Sequence, residues 1–422
     1  MHYSQQTRVM NTNSKTLLSS MMFLQFFVWG AWFTTLGTVL TAQDMSGVIG
    51  AAYGAVPKAA IIAPLFLGLI ADRFFNCEKT MGILHLVGGA LLFAGPSLIA
   101  NKQGDTLSYI ILANMLCYMP TLGLSNTVAF TNIKDRNEFP ALRVWGTIGW
   151  IVAGLVVGGL GMSSSPKIFT MAGVAGVILG LLCFALPKTP PPSRDKPINI
   201  GTLFMVDALK LMTSIPFFVF IICSALVCIP LAYYYAYTAV YLPQIGFQAT
   251  ASTMALGQIS EIFFMLLVPF FFRKLGVKIM ILVGMLAWVA RYALFAMGAP
   301  DQVVWMMLAG VILHGICYDF FFVTGQIYTD KIAPPEIRSQ AQGMLVFFTL
   351  GLGMFIGALV AGKIEAAHTV VVEATEPGAE PGKMVEWASL WLKPAGMAAM
   401  VMLLFAFAFS GKKADESTPN AA

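Results

Sequence analysis

The chain has 422 residues, of which 58% are hydrophobic and 11% charged, with a formal net charge of +5 and a mean hydropathy of +0.78. Soluble domains carry about 25% charged residues, so this composition excludes a water-soluble globular protein. The basic residues are spread over short loops, which gives no patch for nucleic acid.

Apolar runs of about 20 residues, each long enough to cross roughly 30 Å of hydrocarbon, recur from end to end. In chain order they cover 16–41, 46–71, 80–100, 107–131, 141–162, 166–187, 212–243, 250–272, 277–298, 302–328, 340–362 and 388–410. They predict an all-α membrane protein of about twelve transmembrane helices. The first run is too long and too aromatic for a signal-peptide core and is expected to be retained as a helix.

The one clear internal break is the proline-rich, charged stretch Lys188–Pro197, a composition typical of an extended, solvated linker. It predicts two pseudo-symmetric halves, 1–187 and 212–422, joined by a cytoplasmic linker over 188–211. Arg143 opens the fifth segment after Pro140, and Arg338 opens the eleventh after Pro334-Pro335, so the halves echo each other. Parallel halves of this kind are the architecture of major facilitator carriers. Basic residues such as Arg73, Lys79, Lys134, Arg136, Lys188, Arg194, Arg273, Lys274 and Lys331 crowd the loops of one side. The positive-inside rule then places both termini in the cytoplasm. The stretch 366–387 is acidic and rich in Gly and Pro, and is expected to be a solvated outer loop. The six cysteines show no CxxC spacing, so neither a disulfide framework nor a metal site is expected.

Asp319 lies inside the largely apolar stretch Val303–Tyr328, where a carboxylate costs about 2.5–3.5 kcal/mol on insertion scales. Glu261 in the eighth segment and Arg143 at the start of the fifth offer it company. At 3.6 residues per turn, Asp319, Phe322 and Gln326 share a face, as do Gln258 and Glu261. So do Arg143, Thr147 and Trp150 in the fifth segment, and Gln25, Trp29 and Trp32 in the first. Polar groups avoid lipid, so these stripes should face the bundle interior. The implied pocket is aromatic-walled with a few polar hooks and suits a flat polar solute such as a nucleobase with its sugar. Tyr234, Tyr235 and Tyr318 add to its aromatic wall.

Blander readings stay open beside these. The carboxylates could be paired for packing alone, Arg143 could snorkel to the headgroups, Gln25 and Gln258 could bridge helices, and the tryptophans could form an interfacial belt. Arg291 is expected to snorkel or to pair structurally, and His85 and His314 to be helix-packing residues. The Gly-xxx-Gly spacings in Gly154–Gly161 and Gly351–Gly357 predict close helix contacts. Asp72 and Arg73 follow a small-residue helix end at Gly68 and are expected to form a cytoplasmic gate. That turn resembles the loop signature of the major facilitator superfamily.

Six blocks, in order along nearly the whole chain, resemble bacterial nucleoside:proton symporters of that superfamily. They run from Leu24 to Gly37, Tyr118 to Thr127, Arg143 to Gly149, Gln258 to Glu261, Asp319 to Phe321 and Ile337 to Met344. The resemblance implies nucleoside uptake driven by a proton gradient, with Arg143, Thr147, Gln258, Glu261 and Asp319 at cavity positions. Asp319 and Glu261 are the proton-coupling candidates, Asp319 favoured because Arg143 could hold it ionised until displaced. The resemblance also implies a bacterial inner membrane, a functional monomer, and no cofactor beyond the proton. Ala232 and Tyr235 depart from the family, standing where similar permeases carry amides, and Trp150 replaces a smaller aromatic. These changes keep a second cargo open, a sugar or disaccharide. No nucleophile–base set or phosphate loop appears, so an enzyme is not expected.

Overall fold

A computed structural model of the chain describes residues 12–63, 75–191, 205–247, 250–372 and 382–410. Helices dominate because a chain crossing hydrocarbon must satisfy its backbone polar groups within each segment. Among the described residues nine helices are long and apolar enough to cross a membrane, and Ile49–Ile62 and Lys167–Cys183 form shorter apolar ones. The expected eighth and ninth segments form one run, Thr250–Gly298, that turns at Gly276 with φ 67° and ψ 177°. Glycine reaches that backbone conformation without a Cβ penalty. Over its described residues each expected segment therefore lies on helix. Residues 64–71 of the second segment lie outside the described residues, as do Asp72, Arg73 and the linker from 192 to 204.

The chain clusters into two compact units, Met1–Ala208 with Ala333–Val346, and Leu209–Ile332 with Phe347–Ala422. The first part of the eleventh segment thus groups with the N-terminal helices. Within that unit Asn126 donates through Nδ2 to Gln342 Oε1 at 3.4 Å. The closest helix approach there joins the first segment, Thr12–Phe33, to the fifth, Phe139–Gly159. A Cβ on Gly149 would stand 2.1 Å from the Phe23 carbonyl oxygen, so no larger residue fits. Among the described residues the expected contact of Gly154–Gly161 is not made, since a Cβ on Gly154, Gly158 or Gly159 would meet nothing within 4 Å. Those three glycines are exposed.

In the second unit the tenth segment is built in pieces: Val304–Ile312, His314–Tyr318, a π-helical turn at Asp319–Val323, and Thr324–Ile332. The eleventh carries a second π turn at Phe347–Gly353. A π turn inserts an extra residue per loop of helix, so the α-helical spacing expected to align Asp319 with Phe322 and Gln326 does not hold. All five residues of the Asp319–Val323 turn are buried. The seventh segment, Ile215–Gln244, lies against the eleventh, where a Cβ on Gly353 would sit 2.5 Å from the Ala225 carbonyl oxygen. Here the expected small-residue contact is made.

The outer stretch is not wholly loop. Thr369–Val372 pairs antiparallel with Gly382–Val385, Thr369 opposite Val385. β-branched residues on the first strand favour that pairing. The acidic residues between 373 and 381 lie outside the described residues.

Candidate functional site

The polar stripes come to rest in two clusters, one in each unit. In the first unit Gln25 is fully buried and bridges three helices. Its Nε2 donates to Thr121 Oγ1 at 2.7 Å, His85 Nε2 donates to its Oε1 at 2.9 Å, and Tyr118 Oη donates to its backbone carbonyl at 2.6 Å. Gln25 is therefore a bridge, with its amide engaged at both ends. Tyr118 also sets the aromatic wall: Trp29 lies 5.5 Å from its ring and meets Trp150 edge-on at 5.6 Å and 89°. The Trp29 indole Nε1 is buried without a hydrogen-bond partner among the described residues.

Arg143 does not snorkel. It is 4% exposed, and its guanidinium carbon lies 4.0 Å over the Phe26 ring. That cation–π contact is possible because residue 146 is glycine; a Cβ there would stand 2.5 Å from Phe26 and 2.7 Å from Arg143 Nη1. Nη1 has no hydrogen-bond partner among the described residues. Thr147, one turn on, is buried beside it.

The second cluster is charged. Glu261 and His314 are both buried, and Glu261 Oε2 lies 3.7 Å from His314 Nε2. The His314 ring runs nearly parallel to Tyr234 at 5.3 Å and 19°. Tyr234 also carries the Arg291 guanidinium 3.8 Å from its centroid. Arg291 is fully buried, so of the two expectations for it, snorkelling and structural pairing, the structure fits the second. Its Nε donates to the Gly310 carbonyl at 2.8 Å and its Nη2 to that of Val311 at 3.4 Å. Tyr235 is 48% exposed, its ring 5.7 Å from Tyr234. Gln258 is half-buried one turn before Glu261. Tyr318 and Phe322 pack at 4.8 Å, with Phe322 also against Trp288. Asp319 is 0% exposed, at the head of the π turn.

The predicted residues thus gather as Gln25, Trp29 and Trp150 around Tyr118, with Arg143 and Thr147 nearby on the same helix as Trp150. In the other unit Tyr234, Tyr235 and Glu261 meet, and Tyr318, Asp319 and Phe322 lie together on the tenth segment. From the sequence, Arg291 is expected only to snorkel or pair structurally and His314 only to pack, both outside the site. The signal for Arg291 was available: a charge amid apolar residues carries the same insertion cost that singled out Asp319. Asp72 and Arg73 lie outside the described residues. Among the described residues no three His, Cys, Asp or Glu side chains could hold a metal ion.

A family model described as Nucleoside H+ symporter matches residues 10–414. YegT of Escherichia coli strain K12 is 38% identical over 415 residues, 95% of this chain and 94% of that protein. Nucleoside permease NupG of the same organism is 31% identical over 413 residues, covering 94% and 95%. The crystal structure of nucleoside transporter NupG superposes with a TM-score of 0.68 at 30% identity, over 94% of this chain and 100% of that one. The E. coli fucose:proton symporter, at 12% identity and a TM-score of 0.68, shares the fold alone.

Proposed function

The chain belongs to the nucleoside:proton symporter family and has the major facilitator fold, and we propose from that premise how its own residues do the work. Its function is proton-coupled nucleoside import, and it is a carrier, not an enzyme. The reading adds a division of labour between the two clusters. Trp29 and Trp150 stack on the nucleobase, and Arg143 and Thr147 donate hydrogen bonds to the solute. Gln25 holds Trp29 and Tyr118 in place. In the second unit Tyr234, Tyr235, Tyr318 and Phe322 supply further aromatic surface, with Gln258 and Glu261 as polar hooks.

Asp319 and Glu261 couple the proton. Charge buried in low dielectric is costly, and protonation removes it, so a carboxylate that loads a proton changes which conformation is cheaper. Alternating access then carries solute and proton inward together. The single observation behind this reading is the pairing of a buried carboxylate with an aromatic wall, Glu261 beside His314 and Tyr234. The protein acts as a monomer in the bacterial inner membrane with both termini cytoplasmic, a placement supported by the distribution of Lys and Arg.

The test is a substrate panel in proteoliposomes with an imposed inward proton gradient. Labelled uridine should accumulate, a protonophore should abolish accumulation, and excess nucleosides should compete where excess sugars do not. Failure of every nucleoside to compete would overturn the cargo.

A further inference from the structure

His314 and Arg291 are buried in the second unit and have no part in the mechanism above. We propose that His314 and Glu261 form one proton-holding pair, that His314 relays the proton to and from Glu261, and that Arg291 limits the pair to one proton. This rests on the reading that Glu261 belongs to the nucleoside–proton site.

The local structure is built to bring the two together. The tenth segment opens at Leu313, between the helices Val304–Ile312 and His314–Tyr318. At that opening the Gly315 N–H leaves its own helix and donates to Ser260 Oγ at 3.0 Å. The Gly310 and Val311 carbonyls accept from Arg291 instead. Gly315 has no side chain, and a Cβ there would stand 2.5 Å from the Ser260 backbone. The eighth and tenth segments therefore touch backbone to backbone at this turn. Glu261, next to Ser260, is set against His314 as a result. Their 3.7 Å separation is a charge-pair distance that a proton can cross with a small side-chain movement.

Charge accounting decides what the pair can do. A neutral imidazole beside a protonated carboxyl has no net charge, and neither has an imidazolium beside a carboxylate. Moving the proton between them changes no net charge, which avoids the large cost of isolating a charge away from water. Groups this close titrate together. Arginine keeps its charge at any physiological pH. With no proton, the negative pair balances Arg291. With one proton, Arg291 stands as the sole charge of the three. A second proton would add another positive charge in a poorly screened site. The other titratable groups facing the pair are Tyr234 and Tyr235 on the seventh segment and Cys317 and Tyr318 on the tenth, all of types neutral near pH 7. Asp319 is the next acid along the tenth segment.

A relay also needs a second nitrogen to pass the proton on. His314 Nδ1 is buried and has no hydrogen-bond partner among the described residues. Nε2 faces the carboxylate, leaving Nδ1 as the other end.

The experiment uses the full chain in proteoliposomes, with His314→Asn, His314→Gln, Arg291→Gln and Glu261→Gln. Uridine accumulation under a proton gradient, uridine exchange between equal pools without one, and the proton:uridine ratio are measured. The His314 variants should lose roughly tenfold or more of accumulation, the factor of one pK unit in proton affinity, while exchange persists. Arg291→Gln should raise the proton:uridine ratio. If the His314 variants keep a wild-type ratio while Glu261→Gln loses coupling, the relay is wrong and the site reading stands. If Glu261→Gln itself still accumulates uridine, the site reading falls first. Loss of exchange in parallel with accumulation, in folded protein, would make His314 a binding or packing residue and overturn the relay.

Discussion

His85 in the first unit and His314 in the second are equally hidden, 3% and 5% exposed, yet their surroundings ask opposite things of them. His85 meets the amide oxygen of Gln25, which can only accept, so Nε2 must hold its proton. Gln25 in turn donates to Thr121, and Thr121 to the Tyr118 carbonyl at 2.6 Å. Every donor and acceptor in that chain has its role forced. His314 meets a carboxylate, which can share a proton, and keeps a nitrogen without a partner among the described residues. Burial alone therefore does not make a titrating group. The identity of the partner does, and it separates a lock from a relay.

Substitutions in the two units should separate the two histidines. Asp319→Asn removes the most deeply buried acid of the second unit, and gradient-driven uridine accumulation should drop to the level seen with protonophore. Wild-type accumulation in that variant would remove Asp319 from coupling and leave the Glu261–His314 pair to carry it alone. Gly149→Ala attacks the frame that holds the first cluster. Its new methyl would run into a backbone oxygen that cannot rotate away, so thermal stability in detergent should fall by about 3 kcal/mol, at the upper end of overpacking costs.

His85→Ala tests the lock directly. It leaves the buried Gln25 oxygen without its donor, a loss of about 1–3 kcal/mol, while the proton:uridine ratio stays at its wild-type value. A changed ratio would erase the distinction between the two histidines. Tyr234→Leu removes the ring under Arg291 and should weaken stability or uridine affinity by about 0.5–2 kcal/mol, whereas Tyr234→Phe keeps the ring and should recover most of it. Gly158→Ala, where the added methyl meets open space, should be the mildest change, a gain of about 0.5–1 kcal/mol in helix stability. A thermal shift series covers all of these on one scale.

Much of this architecture was legible before any coordinates. Hydropathy is a local property summed over one segment, so the membrane helices could be placed one at a time. The insertion cost of a charge is local too, and it singled out Asp319 and Glu261 from their apolar neighbours. Aromatic stripes at helical spacing named Trp29 and Trp150, which do meet. The extra residue of the π turn at Asp319–Val323 could not be foreseen, because its spacing depends on how neighbouring helices compete for the same backbone groups.

The apolar segments, the place of the acids in them and the family that carries these blocks follow from residues close together in the chain. Packing turns Arg291 inward onto Tyr234 and two carbonyls, and makes Gly149, not Gly154 or Gly158, carry the close contact. It alone set Glu261 against His314. The reason is the same in each case: these are contacts between segments far apart in the chain. Their energies depend on the shape of a gap, a freed carbonyl at Gly310 or a missing Cβ at Gly315, that exists once the helices have packed.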